Sequence, residues 1–137
     1  FKRVFSEKDS LDFSFSGLKT AVLNHINSAK QRGEEINRAD IAASFQQAVI
    51  EVICQKAVAA AKDMGHGKLV IAGGVAANSK LRMELEQQCA QESISLYIPS
   101  ARLCTDNGAM IGCAAYYKYK EGQKGDLYMD AHANLPF

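Results

Sequence analysis

Two short segments of this chain combine glycines with polar side chains in an arrangement that could bind a ligand. In the first, Gly73 and Gly74 follow an apolar run at residues 68–72 and precede Asn78. Backbone amides at such a turn can approach an anion, and a helix that begins there adds about half a positive charge, which would suit the phosphates or ribose of a nucleotide. The spacing matches neither the dinucleotide-binding fingerprint nor the P-loop. The alternative is an ordinary strand-to-helix turn in which Asn78 or Ser79 caps the helix.

The second segment, Cys-Thr-Asp-Asn-Gly from Cys104 onward, leads directly into an alanine-rich apolar helix. Asp106 stands where it can cap this helix, an interaction worth about 1 kcal/mol. Its carboxylate could also bind a metal ion, but catalytic sites typically use about three protein ligands and an open position. The other candidate ligands, which lack the i, i+4 spacing of a two-histidine helical face, are His25, His66, His132 and Cys104. The residues alone therefore favour the cap.

The final helix has an unusual surface. Gly108 and Gly112 are four residues apart, so one face carries almost no side chain. Each glycine costs about 1 kcal/mol relative to alanine, which favours close approach by another helix or by a flat ligand such as a base. Tyr116, Tyr117 and Tyr119, with lysines between and after them, could contact RNA, but at one helix end they are more typical of a core edge.

Two helices are predicted before the first candidate segment. The apolar spacing after the turn Ser-Phe-Ser-Gly predicts a helix with Ser16 as its N-cap. A longer helix follows, capped by Asn37 or Asp40, and Gly65 and Gly67 end it.

Two short apolar runs predict strands. The first, at 68–72, lacks alternation and is typical of a strand buried on both faces, whereas the second, at 93–98, is stopped by Pro99. A helix follows each, the last through about Tyr119. Strands separated by helices predict a parallel α/β sheet with ligands at the carboxyl ends of its strands, the edge where Asp106 should lie near Gly74. Two strands make a poor sheet, so either further strands escape detection or the fold is completed elsewhere.

Length and composition predict one soluble domain. The 137 residues, 47% of them hydrophobic, suffice for one core. The formal net charge of +1 excludes a whole-molecule field for nucleic acid or membranes, so RNA contact must be local or shared with other chains. The four cysteines form no C-x-x-C pair, which favours reduced, buried thiols in a cytosolic protein. Without an initiator Met, a signal peptide or a bilayer-spanning run, we expect a soluble piece of a longer protein.

Three motifs, DFSFSGLKTAV, VIAGGVAANSKLR and CTDNGAMIG, closely resemble in order and spacing the C-terminal part of the TsaD/Gcp family. These proteins make the threonylcarbamoyl modification of the adenosine next to the anticodon of certain tRNAs. The resemblance implies that residues 1–137 are one C-terminal lobe, with an irregular tail at 122–137, of a two-lobed protein whose N-terminal lobe is absent. The implied fold is α/β of the actin/sugar-kinase/Hsp70 (ribonuclease H-like) type, with helices around a small, mainly parallel sheet and the ligand in the cleft between lobes.

The same resemblance implies roles for individual residues. Gly73, Gly74 and Asn78 match the segment that contacts the nucleotide or the threonylcarbamoyl-adenylate. Asp106 matches the aspartate that binds the active-site metal, iron or zinc, beside a His-x-x-x-His pair of the other lobe. That pair is absent here, so the fragment is expected to be inactive alone and not to retain the metal. The metal would act as Lewis acid and template while the threonylcarbamoyl group passes to the exocyclic amine of the base, and no protein nucleophile is identified.

The resemblance also implies ligands and partners. These are tRNA, threonylcarbamoyl-AMP or ATP, a paralogous subunit and a small ATPase, with a cytoplasmic location and no membrane. One alternative is a metal-dependent glycoprotein endopeptidase, the older family label, although the sequence contains no H-E-x-x-H. Others are a nucleotide- or partner-binding module without catalysis, and a relative such as an O-carbamoyltransferase or the paralogous subunit, against which the intact CTDNGAMIG motif argues.

Overall fold

The computed structural model describes Phe1 and residues 11–130. Within them the chain is α/β, with four helices and a two-stranded sheet. Residues 121–130 contain turns but neither helix nor strand, and the rest of the predicted tail, with His132, lies outside the described residues. The helices are α1 (Ser16–Gln31), α2 (Arg38–Asp63), α3 (Ser79–Gln91) and α4 (Gly108–Lys120), and the strands are β1 (Lys68–Val70) and β2 (Ser95–Tyr97).

The long helix α2 has the ends that its sequence predicts. Asn37 Oδ1 accepts hydrogen bonds from the backbone N–H groups of Ala39, at 3.0 Å, and Asp40, at 3.3 Å. These bonds satisfy donors that a helix N-terminus leaves unpaired. At the other end, Gly65 adopts φ +67°, a left-handed conformation that turns the chain toward β1.

The start of α1 differs from its prediction. Ser16 is the first helical residue rather than the N-cap, and the preceding Phe15 makes no side-chain capping bond. The reason is that the Phe15 backbone is already near-helical and its carbonyl accepts the first helical bond, from Lys19 N–H at 3.0 Å. The phenyl ring of Phe13 stacks on that of Phe15 and lies under the Lys56 ammonium of α2, which also donates to the carbonyl of Asp12. The motif preceding α1 is therefore anchored on α2.

The two strands are parallel, as predicted, and only one sheet face is covered. Leu69 pairs with Leu96, and both side chains pack against the core that α2 and α3 form. Val70 pairs with Tyr97, and these side chains are 71% and 51% exposed on the other face. The prediction that the first strand is buried on both faces is therefore wrong for the described residues, because both helices lie on one side of it.

The core joins α2, α3 and β2 through apolar side chains and two thiols. Its buried members are Ile50, Cys54, Val58, Ala61, Leu81, Leu85, Cys89 and Ile94. Three of the four cysteines are free and buried, as expected, but Cys113 on α4 is exposed. No helix among the described residues has the length and hydropathy to cross a bilayer.

Replacing Asn37 with alanine should lower the free energy of unfolding by about 1 kcal/mol, because two N–H groups of α2 lose their acceptor. Urea denaturation followed by circular dichroism measures the change. The matched control is Asn24→Ala, since Asn24 is exposed within α1 and caps no helix. Equal stability of the two variants would contradict the capping role.

Unfolding should become easier above about pH 9, because burial raises the pKa of Cys54 to about 12, with Glu84 and Cys89 contributing further. An unfolded thiol ionises near pH 8.5–9, so between these pKa values the unfolded chain binds fewer protons and the folded state loses stability. From pH 8 to pH 10, the wild-type chain should lose about 1–2 kcal/mol more than the Cys54→Ala variant. Parallel pH profiles in urea denaturation would exclude this linkage.

Candidate functional site

Both candidate segments leave the sheet at the same edge. β1 ends at Val70 and β2 at Tyr97, and because the strands are parallel, the chain continues from their carboxyl ends on one side. A short 3₁₀ turn follows each strand, at Gly74–Ala77 and Ala101–Leu103, and the two turns pack together. The structure thus places the Gly-Gly turn beside the loop that leads to Asp106.

The Gly-Gly turn has an accessible backbone. Gly73 adopts φ +87°, a conformation that residues with a side chain rarely adopt, and its carbonyl accepts from Ala76 N–H at 3.0 Å. A Cβ atom placed on Gly73 or Gly74 would meet no atom within 4 Å. The backbone of Gly73 therefore requires glycine, and space in front of both residues is open to a ligand.

Asn78 caps α3, which was one of its two predicted roles. Its Oδ1 accepts from Leu81 N–H at 3.0 Å, whereas Ser79, the other cap candidate, lies inside the helix. Its Nδ2 donates to Gln46 Oε1 of α2 across a long 3.5 Å. The carboxamide is therefore oriented from two sides.

A small apolar pocket lies beside Asn78, between α2 and the Gly-Gly turn. Its volume is about 170 Å³, smaller than the roughly 300 Å³ at which whole-ligand sites begin, so it can take only part of a nucleotide-sized molecule. Sequence reasoning missed Gln46, which it treated only as a polar residue off the apolar stripe of α2. A polar residue adjoining the stripe at Phe45 was the available signal. The pocket is lined by Phe45, Gln46, Val49, Ile50, Ile53, Val75, Asn78 and Leu81.

Arg82 of α3 joins the two segments. Its Nε donates to the carbonyl of Ala76 at 2.5 Å, and its Nη2 donates to the carbonyl of Pro99 at 2.9 Å and to Cys104 Sγ at 3.1 Å. The buried Cys104 thiol in turn donates to Ser100 O at 3.5 Å, so this sulfur is held within the loop. Sequence reasoning missed Arg82 because an arginine on a helix ordinarily faces solvent. Its place in the motif VIAGGVAANSKLR was the only signal.

Asp106 does not cap α4. The cap is Asn107, whose backbone is extended and whose Oδ1 accepts from Met110 N–H at 3.0 Å, while its Nδ2 donates to Thr105 O at 2.9 Å. The capping role that the residues alone favoured for Asp106 is therefore wrong, because α4 begins one residue later than that role requires. Asp106 is exposed, and no described residue forms a hydrogen bond with its carboxylate.

The other candidate metal ligands do not converge on Asp106. His66 lies two residues before β1, at the amino edge of the sheet, and the His25 ring contacts the Phe1 ring at 5.8 Å. Cys104 is engaged by Arg82, and His132 lies outside the described residues. Among Phe1 and residues 11–130, no three His, Cys, Asp or Glu side chains form a group that could hold a metal ion.

Replacing Arg82 with lysine should loosen the joint between the two segments. A lysine ammonium lacks the planar fork that reaches both carbonyls, so we expect a loss of about 1.5–3 kcal/mol in the free energy of unfolding. Limited proteolysis should also cut within residues 98–107 faster. The matched control is Arg102→Lys, on an exposed arginine of the same loop. Identical cleavage of both variants would contradict the joining role.

Comparisons with known proteins confirm the resemblance that the three motifs predict. The family model described as TsaD, tRNA N6-adenosine threonylcarbamoyltransferase, matches residues 1–113. A protein of that name from Staphylococcus carnosus (strain TM300) is 48% identical over 135 residues, which cover 98% of this chain and 39% of the relative. The counterpart from Staphylococcus aureus (strain Newman) is 49% identical, with 98% and 40% covered. The chain thus spans about 40% of the length of the curated relatives it matches, and it belongs to the TsaD family.

Proposed function

We propose that this chain forms one lobe of a tRNA N6-adenosine threonylcarbamoyltransferase. The enzyme would transfer the threonylcarbamoyl group from threonylcarbamoyl-AMP to the adenosine next to the anticodon. The observation that carries this proposal is the 48% identity to a named transferase across 98% of the chain. Because the chain spans only 39% of that relative, the activity would require the remainder of the polypeptide.

The lobe would be the C-terminal one of an actin/sugar-kinase/Hsp70-like, two-lobed fold. Support comes from the parallel strands, which direct both candidate segments to one sheet edge, where open α/β sheets bind ligands. In this arrangement the edge forms one wall of a cleft. The other wall would come from the rest of the polypeptide.

Gly73, Gly74 and Asn78 would contact the nucleotide portion of threonylcarbamoyl-AMP or ATP. The open space in front of the two glycines lets a phosphate or ribose approach the backbone. The small apolar pocket beside Asn78 supports the same placement, since its wall is suited to part of a flat, weakly polar group. Arg82 would act as a positioning residue by fixing the distance between this turn and the loop before Asp106.

Asp106 would supply one ligand to a divalent metal ion, iron or zinc. Its fit rests on a carboxylate that is exposed and not engaged in the helix cap, because Asn107 performs that role. Asp106 is one donor, so the remaining ligands would come from outside the described residues. A bound ion would supply Lewis-acid polarisation and a template for the substrates.

The partners would be tRNA, a paralogous subunit and a small ATPase, in the cytoplasm. The net charge of +1 is consistent with tRNA binding that is shared among several chains. Three buried, unpaired thiols suit a reducing compartment.

The proposal can be tested with a chimera in which this chain replaces the matching 39% of the Staphylococcus carnosus relative. We expect the chimera to transfer threonylcarbamoyl groups to tRNA and the 137-residue chain alone to be inactive. Asp106→Asn should lower the rate by about 100-fold or more, since it weakens a metal ligand, and should leave the free energy of unfolding unchanged.

The matched control is Asp63→Asn, on an exposed carboxylate at the end of α2, which should keep full activity. Full activity of the Asp106→Asn chimera would refute the metal role. Activity of the isolated chain would refute the requirement for a second lobe.

A further inference from the structure

Helix α4 is apolar around its whole circumference and yet is not buried. Residues 108–117 contain no charged side chain. Helices that are hydrophobic on every side are typically found inside a protein. In this chain α4 buries none of its residues, and Met110 and Ile111 are 50% and 63% exposed. The residue pattern and the surroundings of α4 therefore disagree.

The two glycines of α4 point to close packing by a neighbouring element. Gly108 and Gly112 lie on one face, and a Cβ atom on either would meet no atom within 4 Å. Glycine within a helix is unfavourable by about 1 kcal/mol relative to alanine unless the bare face is used. A second backbone lying against this face would account for both residues.

The sheet gives an independent observation of the same kind. Val70 and Tyr97 are paired neighbours on its open face, and both are exposed. Parallel sheets occur almost only with both faces covered. Within residues 11–130, no helix covers this second face.

On the basis of the proposed function, which makes this chain a portion of a longer enzyme, we propose that α4 and the open sheet face are buried by the remaining portion of the same polypeptide. That portion amounts to about 60% of the length of the curated relatives, which is ample to enclose a 13-residue helix. Asp106 lies two residues before α4, so enclosure of this helix would also fix the carboxylate against the other portion.

A second copy of this chain fits the surface less well. A two-fold dimer buries the same patch on each subunit and covers a helix mainly from one side, whereas α4 is apolar on all sides. RNA also fits less well, because it binds through phosphate charge and the first ten residues of α4 carry none. Both occupants remain separable by experiment.

Cys113 is a built-in probe of this enclosure. It lies on α4 and is the exposed thiol of the four, while Cys54, Cys89 and Cys104 are buried. In the chimera with the Staphylococcus carnosus relative, maleimide labelling of Cys113 should be slowed by about 100-fold or more relative to the urea-unfolded chimera. Peptide mapping by mass spectrometry assigns the rate to each cysteine. In the folded 137-residue chain, Cys113 should react at close to the unfolded rate while Cys54 and Cys89 stay unlabelled.

The matched control is a Gln87→Cys chimera, because Gln87 lies on the exposed, polar face of α3. This introduced thiol should react at close to the unfolded rate. Labelling of Cys113 as fast as Cys at this control position would overturn the proposal. So would protection that appears in the 137-residue chain with rising concentration, which indicates a second copy, or protection of the chimera only after tRNA is added, which indicates RNA.

The same chimera separates this inference from the proposed function. Slow labelling of Cys113 in a chimera that transfers no threonylcarbamoyl group would support the enclosure of α4 and count against the activity. Transfer by a chimera with a fully reactive Cys113 would do the reverse.

Discussion

The parallel pairing of β1 and β2 is the constraint on which the candidate site depends. Two parallel strands send the following chain out at one edge, so segments 27 residues apart along the sequence, counted between the paired Val70 and Tyr97, emerge side by side. The pairing is held from one side by the packing of α2 on α3, where Leu85 and the thiols of Cys54 and Cys89 are fully buried. Arg82 then adds hydrogen bonds across the gap that the sheet leaves open. Loss of the core would therefore disperse the site even if each of its residues were retained.

Much of this arrangement follows from local patterns in the sequence. Apolar spacing and turn residues predict the four helices and two strands, and the Asn37 cap and the Gly65 stop were correct because each depends on a single side chain or a single backbone angle. The exact starts of α1 and α4 were less predictable, because Ser16 and Asp106 stand next to residues that could serve equally well. A choice between adjacent caps depends on backbone angles that spacing does not report.

The site itself was predictable only where a motif marks it. Gly73, Gly74 and Asp106 were identified from their types, but Gln46 and Arg82 became visible only through contacts over 32 and 17 residues of sequence. The single-sided sheet was also not foreseeable, because an apolar strand has the same sequence whether its cover lies within the chain or beyond it. In this respect the sequence of β1 describes a larger protein than the described residues contain.

Asn78 adds a chemical consequence to its role as a helix cap. With its Oδ1 held by Leu81 N–H, the carboxamide cannot flip without losing the cap, so it presents N–H groups in the direction of Gln46 and the pocket. It can therefore recognise ring nitrogens, hydroxyl oxygens or carbonyls of a ligand, but it offers nothing to a group that only donates. Asn78→Asp would preserve the cap and yet reverse the polarity on that side. The stability of α3 and the hydrogen-bonding preference of the neighbouring pocket are thus set by opposite ends of one side chain.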